Sequence, residues 1–426
     1  MLDIKLLREN PKVIEKKLKS KVPDIDLFKI LSLDEEARKI QKKTDDLKSK
    51  RNASSKEIAL LKRENEDCTA ILNEMTKIGL EITTLDKELK QISDKKYFLL
   101  STLPNIPVPE VPISLNVEDN KCIKTYKEKQ KIDFPIKNHT ELNESLKLFD
   151  FQRATKISKN RFAMYTNMGA RLEWALLNYM IDIHLQNGFI QIIPPLLVKD
   201  KTMFGSAQLP KFKDQLFHLK DEEYDLYLIP TAEVALNGIH MDEILDEKDL
   251  PIKYVAYTPC FRREAGAAGK QERGLIRTHQ FNKVELFCLT KPDNSEEMFE
   301  KMIASAEDVL EGLDLHYRSM LLCTGDMSFA SAKTIDIEVY LPGQNRYYEV
   351  SSVSNCTTFQ ARRAKIRYKT KDEKPNFVHT LNASGVATSR LMVAILENNQ
   401  QKDGSVLIPT ILRKYLDDQK YLTPQK

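Results

Sequence analysis

The sequence predicts an α+β protein, with an N-terminal antiparallel α-helical coiled-coil arm and a larger domain built on a mostly antiparallel sheet flanked by helices. Three observations carry that expectation. Between Asp24 and Ile78 there is neither glycine nor proline, and only one of the 13 glycines, Gly79, precedes Gly169. Four prolines then fall within residues 104–112. Beyond them, helical stretches alternate with short β-rich runs, and hairpin-like pairs among their connections favour an antiparallel sheet over a doubly wound one.

In the arm, positions 33, 37, 40, 44, 47, 51, 54, 58 and 61 step by alternating fours and threes. Leu33, Ala37, Ile40, Leu47, Ile58 and Leu61 are apolar, while Thr44, Arg51 and Ser54 leave a weak middle to this heptad seam. A second register, Ile71, Met75, Ile78, Ile82, Leu85, Leu89 and Ile92, is apolar throughout. The polar stretch Arg63-Glu64-Asn65-Glu66-Asp67 joins the two into a hairpin over residues 27–100, whose helices would each be roughly 50 Å long at ~1.5 Å per residue. Residues 27–63 hold 11 Lys/Arg and 6 Asp/Glu, and residues 64–100 hold 5 and 8, so the two helices carry +5 and −3. Either the helices pair electrostatically, or the first offers a basic face to a phosphate backbone.

The prolines in residues 104–115 cannot continue a helix or a central strand and mark a linker between a domain over residues 1–103 and one over residues 116–426. In the second domain, residues 165–187 read as a helix stopped by Gly188, followed by a strand over 189–193 and Pro194-Pro195. Further strands are expected at 225–229, 252–261, 280–289, 334–341 and 346–352.

Composition excludes several classes. With 66 Lys+Arg against 62 Asp+Glu in 426 residues, the net charge is +4, which is no overall signature of a polyanion binder. Six cysteines without a CxxC and seven histidines without HExxH make structural zinc an unexpected feature, and point to thiols in a reducing compartment. The N-terminal residues lack an apolar signal core and no run of 18 apolar residues occurs, so a cytoplasmic protein with no membrane segment is expected. P-loop, GxGxxG and GxSxG patterns are all missing, so any nucleotide site must be built another way.

Three constellations could build one. Thr258-Pro259-Cys260-Phe261-Arg262-Arg263-Glu264 leads through a glycine-containing loop to Arg277-Thr278-His279-Gln280-Phe281-Asn282-Lys283-Val284-Glu285. In an extended segment Arg262 and Glu264 share a face, and an arginine fork there suits an α-phosphate; a surface hairpin with ordinary ion pairs is the alternative. On the return strand Phe281, Lys283 and Glu285 share one face and Val284, Leu286 and Cys288 the other. Phe281 and Glu285 then lie roughly 13 Å apart, which suits a ring on the base of an aminoacyl-adenylate and a carboxylate at its amino-acid end. A core phenylalanine with an exposed glutamate would look the same. Finally, Arg390 opens an apolar helix, where burial demands a partner, either a phosphate or a carboxylate of the protein.

Together with Tyr227-Leu228-Ile229-Pro230-Thr231-Ala232-Glu233-Val234, Glu349-Val350-Ser351-Ser352-Val353-Ser354-Asn355-Cys356, Phe359-Gln360-Ala361-Arg362-Arg363 and residues 382–390, these segments stand in the order found in seryl-tRNA synthetases and closely resemble them. The resemblance extends to Arg51-Asn52-Ala53-Ser54-Ser55-Lys56 on the arm and Pro104-Asn105-Ile106-Pro107. It implies a class II synthetase catalytic domain that ligates L-serine to tRNA(Ser) through a seryl-adenylate, releasing AMP and diphosphate. Thr231, Ala232 and Glu233 would sit at the serine, with Glu233 neutralising its ammonium group. Glu285 would accept from the serine hydroxyl, and Asn382 and Ser384 would close the pocket. For ATP, the resemblance implies Arg262 on the α-phosphate beside Arg263, Glu264 near the adenine, Phe281 on the base, and Arg390 on the γ-phosphate. Arg262 and Arg390 would be the catalytic pair. Residues Glu349, Val350, Ser351 and Ser352 would line the ATP site, with Glu349 and Ser352 holding Mg²⁺. Because 349 and 352 differ by an odd number, the strand should end or bulge there.

The same resemblance implies a homodimer, joined through the helix before Gly188 and the strand through Pro194. It implies an arm that reaches tRNA, and it permits a selenocysteine tRNA, tRNA(Sec), as a second partner. A ligase for threonine would call for a zinc-binding Cys/His set, and none is evident. A catalytically silent RNA-binding paralogue would have lost Arg262, Glu285 or Arg390, and all three are present. Gln271-Glu272, Thr358, Ala383 and Ser389 depart from the family's usual residues, which bears on loop closure and on the backbone of residues 383–389.

Overall fold

The computed structural model describes residues 1–265, 274–371 and 373–425; the loop carrying Gln271-Glu272 lies outside the described residues. The chain divides into a unit of Leu2–Leu103 and a unit of Pro104–Lys426 with Met1.

In the first unit, α1 (Phe28–Glu64) and α2 (Thr69–Ser101) form the hairpin. At ~1.5 Å per residue, the 37 residues of α1 span about 55 Å. Asn65, in the left-handed conformation with φ 56°, ends α1 by donating its N–H to the Leu61 carbonyl, and Asp67 accepts from the Thr69 N–H at the start of α2. All nine expected seam positions on α1 and all seven on α2 are buried or half-buried. At the base, however, the seam passes through Ile30 and Asp34 as well as Leu33. Asp34 lies 3.0 Å from Lys96 Nζ, 3.1 Å from Arg38 Nε and 3.6 Å from Arg8 Nε, so three positive side chains surround a carboxylate that is 4% exposed. Higher up, Lys43–Glu81, Lys48–Asp86 and Lys50–Glu74 pair across the helices at 2.8, 3.2 and 2.6 Å. Electrostatic pairing thus consumes part of the basic excess of α1, while Lys42, Lys56, Lys62 and Arg63 stay exposed.

The second unit is organised by an eight-stranded sheet. Its strands are β1 (Lys121–Tyr126), β2 (Ile190–Gln191), β3 (Ile252–Phe261), β4 (Gln280–Thr290), β5 (Tyr317–Leu321), β6 (Lys333–Leu341), β7 (Arg346–Asn355) and β8 (His379–Ala387), in the spatial order β1-β5-β6-β7-β8-β4-β3-β2. All neighbours are antiparallel except the edge pair β2–β3. The expected strand over 189–193 contributes only two ladder residues, because Pro194 and Pro195 end it at the sheet edge. Strand β4 explains the long apolar run after residue 283. Val284, Leu286 and Cys288 enter a core with α3 (Asn167–Gln186), α5 (Ser295–Gly312) and α7 (Thr388–Asn398), while Phe287 and Leu289 enter a second core with α4 (Ala232–Gly238) and α6 (Phe359–Ala364). A strand covered on both faces reads as continuously apolar rather than alternating.

Two irregularities shape the centre of the sheet. Ile337 pairs with Ser351 and Glu338 with Glu349, so Val350 is an extra residue and β7 bulges between Glu349 and Ser352, as their spacing predicted. In β8 the register slips between Ser384 and Ala387, where Val386 has φ 96°, a costly conformation for a β-branched residue. The proline-rich stretch packs against this unit: Asn105 N–H donates to the Phe329 carbonyl at 2.9 Å, Val108 N–H to the Ala332 carbonyl at 3.0 Å, and Val111 is buried in the main core. Lack of regular structure does not prevent a segment from being a packed strap.

Asp34→Ala is expected to destabilise the hairpin by about 2 kcal/mol, since it leaves Lys96 and Arg38 clustered around a buried void with partial access to water. Urea titration followed by helical ellipticity reads this, and an unchanged midpoint would show that the carboxylate contributes nothing to the hairpin base.

Candidate functional site

Where β4, β7 and β8 meet the N-terminus of α4, the surface opens into a cleft of about 440 Å³ that adjoins a second of about 240 Å³. Arg262, Glu264, Lys283, Glu349 and Ser384 line both, so the two form one continuous site.

The first cleft is acidic at its floor. Thr231 precedes α4, and its hydroxyl accepts from the Glu233 N–H at 3.3 Å while donating to Glu285 Oε2 at 2.8 Å. Lys283 Nζ pairs with the same Glu285 oxygen and donates to Thr231 Oγ1 at 3.2 Å. Glu285 is 1% exposed, and its Oε1 has no hydrogen-bond partner among the described residues. Burial raises its carboxyl above the ordinary range, and Lys283 opposes that rise. Opposite it, Glu233 Oε1 accepts from Gln360 Nε2 and from Asn382 Nδ2, the latter at 3.2 Å. Burial, and then the nearby charge of Glu285, push the Glu233 carboxyl up to about 7. Glu233 lines the pocket and Glu285 lies just beneath it, neutralised in part by Lys283, so Glu233 is the carboxylate left for a small cation.

The second cleft is basic and aromatic. Strand β3 ends at Phe261, and Glu264 adopts φ 49°, so Arg262 and Glu264 reach the cleft through a turn rather than through strand alternation. Arg262 Nε donates to the Pro230 carbonyl at 3.3 Å, and its guanidinium lies 5.2 Å from the Phe281 ring centroid. Glu264 pairs with Arg277 at 3.5 Å. Arg390 Nη1 donates to the Glu349 carbonyl at 2.6 Å and approaches its carboxylate at 3.4 Å. The Val350 bulge brings the Glu349 carboxylate and the Ser352 hydroxyl to the same cleft. Asp336, opposite Ser352 in register, has Oδ1 buried without a partner among the described residues. Among the described residues no group of three His, Cys, Asp or Glu side chains could hold a metal ion by itself, so Glu349 and Ser352 could hold a small divalent cation only together with oxygens from elsewhere, such as phosphate.

Among the residues expected from sequence, Thr231, Glu233, Arg262, Glu264, Phe281, Glu349, Val350, Ser352, Asn382, Ser384 and Arg390 line the joined clefts. Glu285 lies just beneath, under Thr231 and Lys283. Ala232, the first residue of α4, is fully buried in the core. Ser351 is buried with its hydroxyl donating to the Ser384 carbonyl, and Arg263 lines a separate hollow with Lys213 and Phe217. Of the departures, Ala383 is buried in regular strand between Val353 and Leu286, where a methyl group is accommodated, and the positive φ falls instead on Val386.

Three side chains at the site had no role assigned from sequence. Strand alternation puts Lys283 on the face of Phe281 and Glu285 but suggests no role for it. Gln360, fully buried, accepts from the Thr380 hydroxyl at 2.7 Å and donates to the Ser206 carbonyl at 3.1 Å, which fixes the amide it offers Glu233. Glu173 of α3 is 4% exposed; its Oε1 accepts from Thr388 Oγ1 and, at 2.9 Å, from Asn282 Nδ2. It ties the start of the Arg390 helix to the strand between Phe281 and Lys283. An acid on the buried side of an amphipathic helix is the signal that could have found it.

The seryl-tRNA synthetase N-terminal domain model matches residues 1–107, and the model for the tRNA synthetase class II core domain (G, H, P, S and T) matches residues 216–399. A serine--tRNA ligase of Chlamydia felis is 50% identical over 426 residues, covering the whole of both chains. The chain belongs to the seryl-tRNA synthetase family. A second family member, the serine--tRNA ligase of Thermodesulfovibrio yellowstonii, is 50% identical over 98% of this chain and 99% of its own. The family also contains a seryl-tRNA synthetase of Pyrococcus horikoshii solved in complex with ATP, which superposes with a TM-score of 0.94 at 39% identity over 100% of both chains. The antiparallel sheet with its flanking helices is therefore the class II synthetase core, and α1 and α2 are the helices of the family's N-terminal domain.

Burial pushes the Glu173 carboxyl up to about 7 from an ordinary value of 4.5. Its contribution to stability is therefore fully present below about pH 4.5 and is lost as pH rises through 7. Glu173→Gln keeps acceptors for Thr388 and Asn282 without the ionisation. Thermal unfolding should show the variant gaining on the parent by on the order of 2 kcal/mol between pH 5 and pH 8. A difference that does not change with pH would mean Glu173 titrates normally.

Proposed function

We propose that the chain is an ATP-dependent serine--tRNA ligase that forms seryl-adenylate and transfers the seryl group to the terminal adenosine of tRNA(Ser). The observation that carries this reading is the joining of a two-carboxylate pocket to a cleft lined by Arg262, Phe281 and Arg390.

In this reading the serine ammonium sits against Glu233, held by Gln360 and Asn382, and the hydroxyl donates to the free oxygen of Glu285. Thr231 and Ser384 border the pocket, and Ala232 contributes backbone at the start of α4. The adenine lies between Phe281 and Glu264, with Arg263 and Ser351 supporting the adjoining backbone. Arg262, at the junction of the clefts, holds the α-phosphate, and Arg390 exchanges Glu349 for the γ-phosphate. The serine carboxylate attacks the α-phosphorus in line, forming the mixed anhydride as the bond to the β-phosphate oxygen breaks and diphosphate leaves. The chain needs no general base for this step; its work is positioning and charge stabilisation. Mg²⁺, for which Glu349 and Ser352 supply oxygen ligands, would neutralise phosphate charge when bound.

The exposed apolar side chains Trp174, Ile190 and Ile193, near α3 and the edge strand β2, support a homodimer through that edge. The exposed Lys42, Lys56, Lys62 and Arg63 support tRNA backbone contacts by α1, which would serve tRNA(Sec) as well as tRNA(Ser). No described helix is long and apolar enough to cross a membrane, and a serine--tRNA ligase would act where protein is synthesised, in the cytoplasm.

Serine-dependent ATP–pyrophosphate exchange tests the assignment. Serine should support exchange, with alanine about 10⁴-fold less efficient because it leaves Glu285 unpaired. Folded protein with Mg²⁺ and no exchange on serine would reject it. Deleting residues 35–95 should leave exchange within a few-fold of the parent and abolish tRNA charging; equal loss of both activities would show that the hairpin is needed for the first step too.

A further inference from the structure

The Glu285 carboxylate is held asymmetrically. One oxygen, Oε2, takes the Thr231 hydroxyl at 2.8 Å and the Lys283 ammonium, while Oε1 is buried without a partner among the described residues. Lys283 itself is 7% exposed and has three donors. One goes to Glu285, a second to Thr231 Oγ1 at 3.2 Å, and the side chain still borders both clefts. The position is set by the sheet: Lys283 lies opposite Ala387 at the β8 bulge, and Glu285 lies opposite Ser384.

We infer that Lys283 is a specificity-determining positioning residue, which fixes Oε2 of Glu285 and thereby turns Oε1 toward the substrate as a hydrogen-bond acceptor for a β-hydroxyl group. The inference rests on the function proposed above and deepens it. A carboxylate with both oxygens free could rotate to satisfy itself, or take a proton and donate to a neighbour, and either change would relax the demand for a hydroxyl on the substrate. With Oε2 committed, the remaining oxygen has no alternative. An amino acid lacking the hydroxyl then leaves a buried anion's lone pairs unpaired, and so serine is distinguished from alanine. The direction of the Glu285 shift agrees: burial raises its carboxyl, and Lys283 is the foremost group opposing the rise. Lysine suits the place better than arginine would, because a compact ammonium fits between Thr231 and Glu285 where a planar fork would displace one of them.

The test compares the full-length parent with Lys283→Met and Lys283→Gln in ATP–pyrophosphate exchange, using serine and alanine, with serine-induced thermal shift without ATP as a second readout. Both variants should raise the KM for serine by about 100-fold, keep the KM for ATP within about threefold, and shrink the serine-to-alanine preference at least about tenfold. A role confined to holding the fold would slow both amino acids alike. A serine-to-alanine preference within about twofold of the parent in either folded variant would therefore overturn the inference. If the parent shows no exchange but its serine-induced thermal shift disappears in the variants, Lys283 keeps its role while the ligase reading fails. If serine neither supports exchange nor shifts the parent's unfolding, both are overturned.

Discussion

Two carboxylates, Glu233 in the pocket and Glu285 just beneath it, obtain their countercharges from different sources, and the site depends on that division. Glu285 has a resident cation in Lys283 and a resident hydroxyl in Thr231. Glu233 has amide donors but no ion pair among the described residues, and the charge of its neighbour adds to the cost of burying its own. The first carboxylate is thus prepared as an acceptor for a neutral group, whereas the second awaits a cation. Serine carries both groups on adjacent carbons, and this match is what supports the proposed assignment of the site to it.

The surrounding fold serves to hold these groups in register. The bulge at Val350 is what lets Glu349 and Ser352 face the same cleft, and around the slip in β8 Ser384 borders both clefts while Arg390, at the start of α7, borders the second. Val386 bears the backbone strain of that slip. Glu173 and Asn282 secure the segment just beyond it through Thr388, so the strained turn is tied to both α3 and β4. Ridges of close-packed side chains on both faces of β4 keep Phe281, Lys283 and Glu285 at fixed spacing.

Much of this was legible in the sequence, for reasons that differ by element. The hairpin was readable because its seam is local and repeats every three or four residues, and the Val350 bulge because two residues needed on one side stood an odd number apart. Asp34 was not readable, since a charge beside a heptad position looks solvated until Lys96, 62 residues away, is brought to it. Gln360 and Glu173 escaped for the same reason: their partners, Glu233 and Thr388, lie 127 and 215 residues off. The proline-rich segment reads as a linker because prolines exclude regular structure, and its side chains, such as Val111, also pack into the second unit's core. Arg263, adjacent to Arg262, points to a different hollow because the chain turns at Glu264.

Proton linkage of serine binding probes the two-carboxylate account most directly. Burial and the charge of Glu285 push the Glu233 carboxyl well above the ordinary carboxylate range, and an arriving ammonium group favours its ionised form, so binding should pull the pKa down and expel a proton. Calorimetry in two buffers of different ionisation enthalpy should find net proton release on serine binding near neutral pH, diminishing as pH rises. Heats that do not depend on the buffer, or proton uptake on binding, would contradict the account.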